Sequence, residues 1–196
     1  MKYGFNFKKA GAVLFLAVLP FGLSGCPALV AAGAAGGAVV ANETRTTGSL
    51  VEDELIENKA LIRLHENIGG DAHVVVTSYN RRVLLTGQTP SDEVRAKINA
   101  VIGGIANVRE VIDQMESGNP SSLSARFSDS TLTGRVKIAL CNIQIAGFSC
   151  LDIKVVTEKG VVYLLGLVGK EQAAVAINAA RNMPGVIKVV KVFEYR

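Results

Sequence analysis

The hydrophobic positions of this chain fall into two successive copies of one pattern. In residues 129–196, Leu132, Val136, Ala139, Leu140 and Ile143 recur at the spacing of one face of an amphipathic helix. Two β-branched runs follow, residues 153–156 and 161–165, and Glu158-Lys159-Gly160 between them reads as a hairpin turn. A second helix ends at Met183-Pro184-Gly185, and residues 186–193 form a last strand. Residues 53–115 repeat this order. Ile56, Ala60 and Leu64 precede Leu132, Val136 and Leu140 by 76 positions, whereas the run ending in Gly87 precedes the run ending in Gly166 by 79. The growth of the offset predicts a longer loop after the first helix of the second copy. In the first copy Tyr79-Asn80-Arg81 supplies the turn. Thr89-Pro90-Ser91-Asp92 predicts a helix start, with Thr89 as the capping hydroxyl and Asp92 near the positive end of the dipole. Val94, Ile98, Val101, Ile102 and Ile105 give that helix its buried face, Gly103-Gly104 ends it, and residues 108–112 are the last strand.

Shared order of this kind means one supersecondary unit used twice. Each unit is read as αββαβ, an α+β fold with a three-stranded mixed sheet and two helices on one face. At roughly 65 residues each, such cores lie near the lower limit of independent stability, so the units are expected to pack together or self-associate. The boundaries follow: residues 51–115 for the first unit, 116–128 for a linker around Gly118-Asn119-Pro120-Ser121-Ser122, and 129–196 for the second.

The N-terminal pattern is different. Lys2, Lys8 and Lys9 precede an uncharged apolar run that closes on Leu23-Ser24-Gly25-Cys26. That is a charged region, a short apolar region and a small-residue cleavage site, with a cysteine placed to accept a diacylglyceryl group. Residues 1–25 are therefore expected to be a lipoprotein signal peptide and Cys26 the lipid-attachment residue. The alternatives are an ordinary signal peptide with a chance cysteine, and a retained anchor. Pro20, Pro27 and the Ala/Gly-rich residues after Cys26 make the anchor a weak spanning segment. Residues 26–50 read as a flexible tether, small and apolar at first, then polar and Thr-rich.

This cut changes what the charge means. Removing Lys2, Lys8 and Lys9 takes the formal net charge of +4 down by three to +1, so overall basicity is no argument for nucleic acid. What remains is unevenly divided. Residues 53–115 carry a net −2 and residues 129–196 a net +4. A basic unit is attracted to an anionic surface, at about 1 kcal/mol per nearby Lys or Arg before screening. On the first helix of that unit, Thr131, Gly134, Ile138 and Cys141 point away from the core, flanked by Arg135 and Lys137. A small and apolar stripe between cations suits a helix lying on headgroups. Thr131, Gly134, Arg135, Lys137 and Ile138 are the candidate phospholipid-binding residues. The alternative is that Ile138 packs on the other unit and the cations are solvated.

Candidate chemistry is sparse. His65, Glu66, Asp71 and His73 lack a recognised metal-ligand spacing, so no metal site is expected. Neither a Gly-x-Ser-x-Gly nor a Cys/His nucleophile arrangement is present, and Gly166-Leu167-Val168-Gly169-Lys170 lacks the Walker spacing. No enzyme activity and no cofactor are expected. Cys141 and Cys150 remain as an even pair that an oxidising envelope compartment lets form a disulfide, two unpaired thiols being the alternative.

The αββαβ order, with Val83, Leu85 and Gly87, then Val162, Leu164 and Gly166, and Gly185-Val186 before the last strand, resembles the BON domain. Two such units behind a lipobox resemble the dual-BON outer-membrane lipoproteins of Gram-negative bacteria. The resemblance implies a non-enzymatic, periplasm-facing lipoprotein of the outer membrane. It implies binding of anionic phospholipid through the second domain, support of outer-membrane integrity, and a link to the division site. It also implies that Gly87 and Gly166 are structural glycines. Relatives present an aromatic at the start of the second domain's first helix, where this chain has Thr131. Implied partners are an anionic membrane and outer-membrane assembly or division-associated envelope proteins, with no nucleic acid. The competing class is an anchored adaptor that binds an envelope protein, with lipid contact incidental.

Overall fold

The first helix, α1 (Thr47–Ile68), starts where the Thr46 hydroxyl accepts a hydrogen bond from the Ser49 amide at 3.2 Å. The computed structural model describes residues 46–70 and 72–196, so the signal segment, Cys26, most of the tether and Asp71 lie outside the described residues. Ile56, Ala60 and Leu64 form the buried face of α1, one helical repeat apart. Two antiparallel strands follow, β1 (His73–Tyr79) and β2 (Arg82–Thr89), then α2 (Asp92–Gly103) and β3 (Glu110–Asp113), which pairs with β2 in parallel. After Met115 turns inward, the short β4 (Glu116–Ser117) continues the same parallel edge against β2. The cap of α2 is Ser91, whose hydroxyl accepts from Val94 N, and not Thr89, which ends β2 as a buried residue. The strand runs on instead: Thr89 pairs with Ser117 of β4 and its carbonyl accepts from Gly118 N at 2.8 Å, so the helix starts two residues later.

The second unit repeats the order. It comprises α3 (Leu123–Cys141), a 3-10 turn (Cys150–Asp152), β5 (Ile153–Glu158), β6 (Val161–Val168), α4 (Lys170–Arg181) and β7 (Lys188–Tyr195). Its sheet runs β5-β6-β7, with β5 antiparallel and β7 parallel to β6. The extra residues inferred from the repeat offset are the segment before β5, closed by a disulfide between Cys141 and Cys150 with a Cα separation of 4.9 Å. The segment 116–128, expected as a linker, thus contributes a strand to the first sheet and the opening turns of α3. The tether reading likewise gives way to helix at Thr47.

One buried carboxylate per unit ties helix to hairpin. Asn80 and Arg81 both have positive φ, as do Lys159 and Gly160, which makes each hairpin a two-residue turn of the kind matched to strand twist. For residues other than glycine this conformation costs about 1–2 kcal/mol. Asp53 on α1 compensates by accepting from the amides of Asn80 and Arg81, each at 2.8 Å, and from the Ser78 hydroxyl at 2.7 Å. Asp129 on α3 accepts from the amides of Lys159 and Gly160 at 2.8 and 2.9 Å. Neighbouring strands also approach too closely for a side chain at two glycines. A Cβ on Gly87, whose φ is +113°, would lie 2.0 Å from His73 O, and one on Gly166 would lie 2.7 Å from Asp152 O.

Each sheet is covered on one face by its own helices. Val83 and Leu85 pack with Ile56, Ala60, Ile98 and Ile102 in the first unit, and Val162 and Leu164 pack with Leu132, Val136, Ala176 and Ala180 in the second. The alternate residues of the same strands point the other way, as the period of two requires. There Leu84 and Tyr79 meet Tyr163, Leu165 and Val192 in a third buried cluster shared by both units. The helix-free faces therefore pack on each other, and the molecule is a sandwich of helices, sheet, sheet and helices.

Polar groups at the rim fix the register of this contact. The buried Tyr79 hydroxyl donates to Asp152 O at 2.9 Å and accepts from Leu167 N at 3.2 Å. Lys154 reaches Glu57 at 2.6 Å and Ser78 O at 3.2 Å, and Asn80 donates to Glu194 at 2.9 Å. Buried Glu158 accepts from the Gln88 amide at 2.7 Å and the Ser121 hydroxyl at 3.0 Å, with His73 Nε2 at 3.6 Å. Burial lowers the pKa of His73 below its ordinary 6.5; Glu158 opposes this and Arg126 reinforces it.

Replacing Tyr79 with Phe is expected to cost about 1–3 kcal/mol, because the hydroxyl that serves both the Asp152 carbonyl and the Leu167 amide is lost from a buried site. A lowered urea midpoint at unchanged slope checks this. For His73 the folded pKa is depressed, so its contribution is present above pH 6.5 and is lost as pH falls below that value. The urea midpoint should drop on mild acidification, and His73→Gln should remove that part of the drop. Glu110, held low by its hydrogen bond from Arg82, acts in a more acid window.

Candidate membrane-facing helix of the second domain

Helix α3 begins at Leu123, where the Ser122 hydroxyl accepts from Ala125 N at 3.2 Å. Its buried face is Asp129, Leu132, Val136 and Leu140. The residues named from sequence, Thr131, Gly134, Arg135, Lys137 and Ile138, are all exposed. At about 100° per residue, Thr131, Gly134 and Ile138 form the line opposite the core, with Arg135 and Lys137 on either side of it. Ile138 is 65% exposed and does not pack on the first unit.

The early start of the helix adds two residues that the sequence reading missed. Phe127 lies four positions before Thr131 and Leu123 four before Phe127, so both extend the outward line. Phe127 is 76% exposed and Leu123 81%. Phe127 thus places an aromatic on the outward line one turn before Thr131. Proline followed by two serines at residues 120–122 was the available signal, since serine is a preferred cap.

Electrostatics reinforce the line. Arg135 and Lys137 form no ion pair with a carboxylate among the described residues, and their charges face outward. The half-buried Arg126 donates to Ser121 O at 3.0 Å. It lines a groove of about 260 Å³ between β1 and α3, together with His73, Thr133 and Glu158. Behind α3, Asp129 anchors the helix to the hairpin, and the Cys141–Cys150 disulfide anchors its end to the turn before β5. The outward side chains are thus presented from a helix fixed near both ends.

Of the side chains discounted as metal ligands, Asp71 lies outside the described residues. His65 is exposed on α1, whereas His73 faces Glu158 of the other unit. Among the described residues no three His, Cys, Asp or Glu side chains come together. Also among the described residues, no helix is long and apolar enough to cross a membrane. Lys170 sits in the first turn of α4, whose cap Gly169 donates its amide to Gln172 at 2.9 Å.

Comparison with known proteins follows the same division of the chain. The BON domain model matches residues 52–119 and 128–196. The chain is 36% identical over 187 residues to "Outer membrane lipoprotein DolP" of Haemophilus influenzae, covering 94% of this chain and 92% of that protein. It is 31% identical over 156 residues to the "21 kDa hemolysin" of Actinobacillus pleuropneumoniae, covering 78% and 79% respectively. Among solved structures, CdsD, a structural protein of the type III secretion system of Chlamydia trachomatis, covers 73% of this chain at 11% identity. Its TM-score is 0.30, too low to bear on function. With both repeats matched and the likeness to DolP running through nearly the whole chain, the protein belongs to the BON-domain family, among its dual-domain outer-membrane lipoproteins.

Proposed function

We propose that this lipoprotein, facing the periplasm, binds anionic phospholipid through the outer face of α3 and has no enzymatic role. The observation that carries this reading is the outward line of Leu123, Phe127 and Ile138 between the exposed cations Arg135 and Lys137. A helix with this division rests in the interface plane, its apolar side chains among acyl chains and its cations at the phosphates. Burying the Phe127 ring is worth about 1.5–3 kcal/mol, and each cation adds about 1 kcal/mol near an anionic surface. These terms are comparable, so neither alone dominates. Lipid attachment at Cys26 keeps the domain close to the bilayer, and α3 then sets its orientation. Through that contact the protein supports outer-membrane integrity, with recruitment to the division site as the family-level extension.

The test uses the mature chain with Cys26→Ser, which removes acylation, and vesicles of phosphatidylcholine with or without phosphatidylglycerol. Binding is expected only to the anionic vesicles and should weaken as salt rises. Phe127→Ala is expected to weaken it about tenfold or more, and Arg135→Glu with Lys137→Glu to abolish it. Equal binding to neutral vesicles, or no effect of these substitutions, would contradict the reading and favour an anchored adaptor.

A further inference from the structure

The loop that joins α4 to β7 carries an exposed apolar side chain that the outer face of α3 does not include. Ile187 is 79% exposed. Its amide donates to Gly160 O at 2.9 Å, and its side chain lies across the hairpin turn, where a Cβ on Gly160 would be 2.9 Å from Ile187 Cδ1. Asp129 of α3 in turn accepts from the amides of Lys159 and Gly160. The same loop touches α3 at Gly185, where a Cβ would lie 3.6 Å from an Arg135 guanidinium nitrogen and 3.8 Å from Leu132. Ile187 is therefore presented from a fixed loop on the Arg135 flank of α3.

A single exposed aliphatic residue needs no explanation by itself. What distinguishes Ile187 is its surroundings, which differ from those of the matching position in the first unit. Its counterpart 78 residues earlier is Arg109, whose amide makes the matching bond to Arg81 O at 2.8 Å. There the tip is polar and paired: Arg109 lies 3.5 Å from Glu194, and Glu110 accepts from Arg82 at 2.6 Å. In the second unit Ile187 stands in place of that arginine and Lys188 in place of that glutamate. Lys188, Arg135 and Arg181 are exposed around the loop and form no ion pair among the described residues. Glu116, beside the turn, is engaged by Lys159 at 3.1 Å. An apolar point among unpaired cations continues the division of charge and apolar surface found on α3, and it suits an anionic bilayer.

We infer that Ile187 is a second insertion point for an anionic phospholipid bilayer, and that it rolls α3 onto its Arg135 flank. The inference rests on the proposed lipid reading and adds to it the orientation of the domain. Lys137 lies on the opposite flank, the side on which Arg126 and Thr133 face His73 of the first unit across a groove. A roll toward Ile187 presses Arg135 and Lys188 onto phosphates and raises Lys137. It also lifts the first unit, with its net −2, away from a surface that repels it.

The mature Cys26→Ser chain and vesicles of phosphatidylcholine with or without phosphatidylglycerol test this. Ile187→Ser should weaken binding to the anionic vesicles at least about tenfold, and Arg135→Glu should weaken it more than Lys137→Glu. Because Cys141 and Cys150 are joined, a fluorescent thiol label on Ile187→Cys goes to that position alone. With the chain bound, lipid-borne doxyl groups should quench this label and leave one on Arg109→Cys unquenched. Undiminished binding of Ile187→Ser, an unquenched label at position 187 on bound chain, or equal effects of the two charge reversals would overturn the inference. The lipid reading survives those outcomes so long as Phe127→Ala still weakens binding. A parent chain that binds neither kind of vesicle overturns both.

Discussion

A mixed sheet with helices on one side has an apolar second side that water cannot be left to cover. In this protein each domain solves that problem with the other. Leu84 and Tyr79 of the first sheet are buried against Tyr163, Leu165 and Val192 of the second. Much else in the molecule follows from this contact. It fuses two units too small for comfortable independent stability, and it sends their helices to opposite outer layers. It also demands partners for the polar groups it buries, which Tyr79, Gln88, Lys154 and Glu158 supply across the boundary.

Within that frame the two repeats conserve their scaffold and differ on their surfaces. The buried aspartates Asp53 and Asp129 perform the same task on equivalent hairpins, and Gly87 and Gly166 sit at equivalent close approaches. The outward helix faces have diverged. Val51 of α1 becomes Phe127 on α3, Glu52 and Glu54 become Ser128 and Ser130, and Leu61 becomes Lys137, while Lys59 and Arg135 keep a cation at one position. One architecture thus presents an acidic apolar face on one layer and a basic apolar face on the other. The first is unsuited to an anionic bilayer and the second is suited to it. That difference, more than the fold, directs the functional reading.

Most of the fold was legible because periodicity reports burial. Ile56, Ala60 and Leu64 are buried on α1 and Leu132, Val136 and Leu140 on α3, whereas Ala139 is half-buried and Ile143 lies past the end of α3; both hairpin turns lie where the strand runs break. The helix starts were harder. Aligning the copies on their core positions made Asp129 look like the beginning of a unit, so the opening turns of α3 with Phe127 were read as linker. Those turns bury little, and a pattern of buried positions is silent about them. Ser91 displaced Thr89 as a cap because β4 extends the sheet to Thr89, a pairing with Ser117 that a hydroxyl near a helix start does not reveal. That the units pack together or self-associate was expected from their size, yet which faces meet was not readable. Leu84 and Tyr163 look like any alternate strand position until two distant faces are brought together.

If the shared sheet face is the interaction on which the rest depends, the two domains unfold as one. Scanning calorimetry of the mature Cys26→Ser chain measures this directly. A single transition whose calorimetric and van't Hoff enthalpies agree is the predicted result. Two resolved transitions, or a van't Hoff enthalpy about half the calorimetric value, would mean that each domain stands alone and would contradict the account.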